Sequence, residues 1–228
     1  MIKSVIFDLD GTLLDTSEGV ISSVKKMIEH YGFHDLTQAE LESFIGPPIS
    51  KSMVRLYGVS DEEGVEQMLY FRKLYTKGVD AFLAGEIEEV PDVFKGKIYP
   101  GMEELLQGLK DHGIKVGVAT YKQEDQAKNL LGYKGLAKYF DVIHGADPYG
   151  KLTKAEVVAL SIKDLGAAPE ETIMVGDSDN DAIGAEAAGA LFLGVTYGFG
   201  FKTAEDVKKF KNIGVAATTY EALDIICG

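Results

Sequence analysis

The chain opens on a short apolar run, Val5-Ile6-Phe7, that stops abruptly at Asp8-Leu9-Asp10-Gly11-Thr12. Apolar runs of this length bounded by a turn signal read as buried strands. Similar runs recur at residues 114–119, 142–143, 172–175 and 191–193, the first stopping at Thr120 and the third at Gly176-Asp177. Between them, apolar positions fall at helical spacing over residues 102–110, 123–131, 153–165 and the alanine-rich 182–188. Strand and helix alternating in this way make a parallel sheet covered on both faces.

One stretch breaks the alternation. After Asp15-Thr16-Ser17, where Thr16 or Ser17 is placed to cap a helix, Val20, Ile21, Val24, Met27, Ile28 and Tyr31 recur at helical spacing up to Gly32. From there to about Lys97 no strand-like alternation is found. Leu41, Phe44 and Ile45 close a short helix before Gly46-Pro47-Pro48, a second helix begins at Ser50, and a third runs from Asp61 through Leu74. The pattern predicts an α/β core formed by residues 1–15 and 98–228, interrupted by an all-helical insert over residues 16–97.

A chain of 228 residues can bury a sizeable core. The net charge of −13 argues against nucleic acid or an anionic membrane as partner, since both call for a basic face. A single cysteine, Cys227, excludes an intramolecular disulfide, and no signal-peptide progression or membrane-length apolar run is present. These features predict a cytoplasmic protein.

In doubly wound sheets the ligand lies beyond the carboxyl ends of the strands, which directs attention to four signals. Asp8 and Asp10, two apart at the end of a strand, point to the same side while Leu9 turns into the core. Like charges held so close call for a cation or a proton, and Gly11 permits the sharp turn that follows. Thr120 follows a strand and precedes a helix whose amides favour an anion. A lysine, Lys154 or Lys151, stands at the start of the 153–165 helix. Gly176-Asp177-Ser178-Asp179-Asn180-Asp181 is a second acidic loop at a strand end. Singly, each has an ordinary reading as a helix cap, a solvated lysine or a complement to a helix dipole. Together they offer hard oxygen ligands suited to Mg²⁺, with room for a phosphoryl group. The four histidines, His30, His34, His112 and His144, fall in helix ends or loops, which disfavours zinc chemistry or a Ser/Cys–His nucleophile.

Asp8-Leu-Asp10-Gly-Thr, Thr120, Lys154 and Gly-Asp177-Ser-Asp-Asn-Asp181, in that order, resemble the four motifs of the haloacid dehalogenase superfamily. The helical insert after the first motif resembles the C1-type cap of its phosphoglycolate phosphatase-like branch, as do Phe44-Ile45-Gly46-Pro47-Pro48 and Tyr99-Pro100-Gly101. Two places depart from the pattern: Tyr121 stands where Asn is common after the second-motif hydroxyl, and no Pro follows the third-motif lysine. The resemblance implies a Rossmann-like three-layer core with an inserted all-helical cap. It implies a Mg²⁺-dependent phosphatase of small phosphorylated metabolites such as phosphoglycolate, a sugar phosphate or a nucleotide. Asp8 would attack phosphorus, and Asp10 would protonate the leaving oxygen and later activate water. Mg²⁺ would be held by Asp8, the Asp10 carbonyl and Asp177, with Asp181 orienting its waters or accepting from Lys154. Thr120, Lys154 and the N–H groups of Leu9 and Tyr121 would bind phosphoryl oxygens. The cap would close over the cleft and choose the leaving group. Its candidates are Gly46, Pro47, Lys51 and Arg55, the last two four apart on one helix face although a solvated face is the commoner reading.

A phosphosugar mutase of the β-phosphoglucomutase kind shares these motifs and is the alternative. Carbon–halogen cleavage needs no acid at Asp10, and phosphonate cleavage calls on a cap lysine for which Lys51 is a weak candidate. A receiver-like signalling module, which gathers similar residues, carries its phosphoacceptor on a middle strand and has no large insert after the first.

Overall fold

The structure is a computed structural model describing residues Met1–Gly228. In chain order the elements begin with β1 (Ser4–Phe7), β2 (Leu14–Asp15), α1 (Ser17–Tyr31), α2 (Gln38–Glu42), α3 (Ile49–Tyr57), α4 (Asp61–Tyr75) and α5 (Val79–Leu83). They continue with β3 (Lys97–Ile98), α6 (Met102–Asp111), β4 (Lys115–Gln123), α7 (Glu124–Tyr133), β5 (Val142–Ala146) and α8 (Lys154–Leu165). The chain closes on β6 (Thr172–Gly176), α9 (Asp179–Ala188), β7 (Leu191–Val195), α10 (Ala204–Val207), β8 (Gly214–Ala216) and α11 (Thr219–Cys227). The chain divides into two compact units, one of Met1–Asp15 with Ile98–Gly228 and one of Thr16–Lys97.

The first unit is built on a six-stranded sheet of order β5-β4-β1-β6-β7-β8 in which all neighbouring strands run parallel. Register aligns side chains in rows across its centre. Val5, Val116 and Ile173 form one row, and Phe7, Val118 and Val175 another. Ile6 and Met174, on the opposite face, pack with Ala119, with Val157, Val158 and Ile162 of α8, and with Ala182 and Ala185 of α9. Both faces are therefore buried, which is why these strands read as unbroken apolar runs. The chain winds outward from β1 in both directions, so order reverses at β1, and the carboxyl end of β1 lies at the crevice where such sheets place their ligands. This is the α/β parallel-sheet class that the pattern predicts.

The second unit contains α1 to α5. α1 and α3 both pack on α4, with Met53, Met68, Phe71 and Tyr75 buried among them. Capping boxes open α2 (Thr37 with Glu40) and α4 (Ser60 with Glu63), each satisfying amides the helix itself leaves unpaired. Asp92, buried near the end of the unit, accepts from Ser23 Oγ at 2.8 Å and from the ammonium groups of Lys26 at 2.9 Å and Lys95 at 2.8 Å.

Several boundaries differ from the sequence reading, for local physical reasons. The 114–119 strand runs on to Gln123, its pairing with β5 shifting between Ala119 and Gln123. Of the loop expected at 176–181, only Asp177 and Ser178 lie between β6 and α9, and Asp179, Asn180 and Asp181 form the first turn of that helix. Acidic residues favour that position because the helix dipole is positive there. Thr16 precedes α1 but makes no side-chain cap. His144 lies within β5, not in a loop. The sequence pattern predicts neither the two-residue strands β2 and β3 nor α5, β8, α10 and α11.

Candidate active site

Asp8 and Asp10 follow β1 directly. The Asp8 amide donates to the Val175 carbonyl at 2.9 Å, extending the β1–β6 pairing by one residue, and Gly11 then turns the chain at φ 91°. A Cβ at Gly11 would overlap the Asp177 carboxylate, so this position needs glycine for close approach as well as for its backbone angle. The Leu9 carbonyl accepts from the amides of Leu13 at 3.0 Å and Leu14 at 3.1 Å, which closes the turn.

Lys154 is the first residue of α8. The helix start is set by a capping box in which Thr153 and Glu156 bond each other's amides at 2.8 and 3.3 Å. From there the buried lysine places Nζ 2.5 Å from Asp8 Oδ1 and 2.7 Å from Asp181 Oδ1. Lys151 does not reach the site. Its amide donates to Asp147 and its ammonium lies over the Tyr149 ring, so the choice between the two lysines falls on Lys154. Gly184 in α9 faces the stem of Lys154; a Cβ there would come within 2.7 Å of Lys154 Cγ.

Asp177, at the end of β6, is held by a loop that sequence reasoning missed. Its Oδ2 accepts from the amides of Phe199 at 2.7 Å and Gly200 at 2.9 Å. Thr12 Oγ1 donates to Oδ1 at 3.4 Å. Tyr197, on the same loop, donates from its hydroxyl to the Thr12 carbonyl at 3.1 Å. Gly198-Phe199-Gly200 follows β7, so the rule that marks strand carboxyl ends could have flagged it. Asp181 Oδ2 accepts from the Ser178 amide at 3.1 Å and hydroxyl at 2.7 Å.

Thr120 is buried after the straight part of β4, and its Oγ1 accepts from the Lys122 amide at 3.2 Å. Tyr121, where the family pattern favours Asn, turns its hydroxyl to accept from the Lys154 amide at 3.1 Å, with Lys154 Nζ 5.6 Å from its ring centroid. Lys122, also missed, sets Nζ 3.1 Å from Asp10 Oδ1. In the helical unit, Lys51 pairs with Asp61 at 2.8 Å and Arg55 donates to Ser43 Oγ at 2.7 Å.

The electrostatics follow from burial. Asp8 is pushed up to about 8 by desolvation; Lys154 opposes the shift, and Asp181, Asp177 and Asp10 add to it. Burial, then the Asp181 charge, pushes Asp177 up to about 6 against the pull of the Gly200 and Phe199 amides. Burial works against the Lys154 charge, but Asp181 and Asp8 outweigh it and hold the ammonium above its ordinary range. Ligand oxygens of Asp8, Asp177 and Asp181 all lie within 4.8 Å of one another. Four carboxylates (Asp8, Asp10, Asp177, Asp181) face two ammonium groups (Lys122, Lys154), leaving two negative charges when all are ionised. Buried, hard, oxygen-only ligands with that residual charge fit a divalent cation of the Mg²⁺ kind.

Comparison with known proteins points the same way. Residues 5–195 match the family model described as haloacid dehalogenase-like hydrolase. A 5′-nucleotidase of Pseudomonas aeruginosa is 30% identical over 86% of this chain and 84% of its own. A phosphoglycolate phosphatase of Neisseria meningitidis is 33% identical over 89% of this chain and 83% of its own. The crystal structure of a predicted phosphatase from Clostridium acetobutylicum superposes with a TM-score of 0.86 at 34% identity, covering 99% of this chain and 98% of that one. With its carboxylates and lysine gathered at the end of β1, the chain belongs to the haloacid dehalogenase-like hydrolase family, among its phosphatases.

Proposed function

We propose that the protein is a Mg²⁺-dependent phosphatase that hydrolyses a small phosphate monoester through an aspartyl-phosphate on Asp8. The observation that carries this reading is the buried Lys154 ammonium shared between Asp8 and Asp181, with Asp177 within ligand reach of both. A carboxylate so placed is oriented for attack, and the lysine is placed to offset the charge that gathers on the phosphoryl oxygens.

In the first step Asp8 forms a bond to phosphorus as the ester P–O bond breaks, and the Asp10 proton passes to the leaving oxygen. In the second, Asp10 takes a proton from the water that cleaves the acyl phosphate. Thr120, Lys154 and the amides of Leu9 and Tyr121 are the groups we assign to phosphoryl oxygens. Asp8, the Asp10 carbonyl and Asp177 would hold Mg²⁺, with Asp181 beside them; when bound, the cation supplies charge neutralisation to phosphate and carboxylates.

Substrate choice is assigned to the helical unit, with Gly46, Pro47, Lys51 and Arg55 as candidates. Of these, Lys51 and Arg55 already have partners in Asp61 and Ser43. The names of two relatives, 5′-nucleotidase and phosphoglycolate phosphatase, support small anionic monoesters as the substrate class. No helix is long and apolar enough to cross a membrane, and we place the activity in the cytoplasm. Purified protein with Mg²⁺ is expected to release inorganic phosphate from p-nitrophenyl phosphate and from at least one of phosphoglycolate, a hexose phosphate or a 5′-nucleotide. Absence of release from all of them would overturn the proposal.

A further inference from the structure

Lys122 is a buried cation with no part in the mechanism above. Its side chain is 5% exposed and that of Asp10 is 9% exposed, and Nζ stands 3.1 Å from Asp10 Oδ1. Two features of the fold bring it there. β1 and β4 run parallel with Phe7 opposite Val118, so the chain that carries Asp10 leaves β1 beside the carboxyl-terminal half of β4, which carries Lys122. The register of β4 against β5 then shifts between Ala119 and Gln123, and the Lys122 amide is tied to Thr120 Oγ1 at 3.2 Å.

A desolvated ion pair is poor evidence of a gain in stability, since an apolar pair of similar volume often does as well. What this pair does is hold one oxygen of the Asp10 carboxyl in place. Holding Oδ1 fixes the plane of the Asp10 carboxyl and hence the direction in which Oδ2 points. Proton transfer depends steeply on that direction. We propose that Lys122 is a positioning residue for Asp10, setting its carboxyl for proton transfer to the leaving-group oxygen. This rests on the acid role given to Asp10 above. In the step concerned, the ester P–O bond breaks, its electron pair goes to the leaving oxygen, and the Asp10 proton joins that oxygen to release an alcohol or phenol.

The consequence is specific to the leaving group. A poor leaving group needs its proton as the bond breaks, whereas 2,4-dinitrophenolate departs without one. The test is kcat/KM, which reports phosphoryl transfer to Asp8 and not the later hydrolysis, measured with 2,4-dinitrophenyl, p-nitrophenyl and phenyl phosphates. The proteins are wild type, Lys122→Met, Lys122→Arg and Asp10→Asn.

General acid catalysis contributes roughly 10²- to 10⁴-fold. Lys122→Met is therefore expected to lose at least about tenfold on phenyl phosphate and under about threefold on the dinitrophenyl ester. Lys122→Arg is expected to recover most of that loss. Equal losses on all three esters, with Asp10→Asn still discriminating among them, would overturn the positioning role alone. Equal losses in Asp10→Asn itself would overturn the acid role and the inference with it. Should Lys122→Met fail to fold, Lys122→Gln takes its place: a dependence of kcat/KM on leaving group steeper than in wild type supports the inference, and an unchanged or shallower one contradicts it.

Discussion

At the level of single residues, Asp8 occupies a place where its own ionisation is costly. Burial and three neighbouring carboxylates push it up to about 8, with Lys154 only partly compensating. Substituting Asn removes the charge but keeps the shape, so Asp8→Asn is expected to abolish turnover while raising the melting temperature of the cation-free protein at pH 8. A smaller rise is expected at pH 5, where the folded Asp8 keeps its proton but the unfolded one, with its ordinary value of 3.8, has already lost it. Thermal unfolding at the two pH values checks this; a variant less stable than wild type at pH 8 would mean that the Lys154 contact outweighs desolvation. Individual residues were also where the sequence was most legible. Asp8, Asp10 and Asp177 stand at strand ends and Lys154 or Lys151 at a helix start, and position in the chain marks such places, whereas the choice between the two lysines rests on the tertiary contact of Lys154 with Asp8. Lys122 was not legible because nothing in a sequence distinguishes a lysine turned inward by a register shift from one in water. Tyr121 was visible only as a departure from a pattern; its contact with the Lys154 amide is tertiary.

At the scale of elements, the close approach of α8 and α9 carries Lys154 to its partners. Gly184 makes that approach possible, since a Cβ there would press on the Lys154 stem. Alanine is ordinarily favoured over glycine in a helix by about 1 kcal/mol, but overpacking a filled contact costs about 1–3 kcal/mol. The second effect is larger here. Gly184→Ala is expected to lower both the melting temperature and kcat, the latter because the ammonium shifts from Asp8. Gly132, in α7, has nothing within 4 Å of a built Cβ, so Gly132→Ala is expected to leave activity unchanged and stability equal or higher. If both variants behaved alike in unfolding and turnover, the packing argument would fail. Elements were legible in proportion to their length and pattern. The central strands, buried on both faces, announce themselves as apolar runs. The three-residue edge strand β8 and the four-residue α10 are too short to show a period, and α9 hides its start because its first turn is the acidic motif itself.

For the molecule as a whole, the shifted carboxylates link stability to pH and to cation. Asp8 and Asp177 have folded-state values near 8 and 6 against an ordinary 3.8. Between pH 4 and 8 the folded state therefore binds more protons than the unfolded one, and these groups make stability fall as pH rises. A divalent cation replaces those protons, so Mg²⁺ is expected to raise the melting temperature more at pH 8 than at pH 5 and to release protons on binding at pH 7. Calorimetry in two buffers of different ionisation enthalpy measures the release; no proton release and a pH-independent stabilisation would count against cation binding at these aspartates. The arrangement of the α/β core was legible from the alternation of strand and helix, and the place of the loop of Tyr197, Phe199 and Gly200 after β7 could be read by the same rule, but its hold on Asp177 could not, because backbone amides carry no sequence signature. The central claim, that Asp8 takes the phosphoryl group, is tested most directly by trapping it. The protein is mixed with Mg²⁺ and p-nitrophenyl phosphate, quenched, reduced with borohydride and digested for tandem mass spectrometry. The account predicts homoserine at position 8 and aspartate at positions 10, 177 and 181; reduction at one of those three, with residue 8 still aspartate, would contradict it.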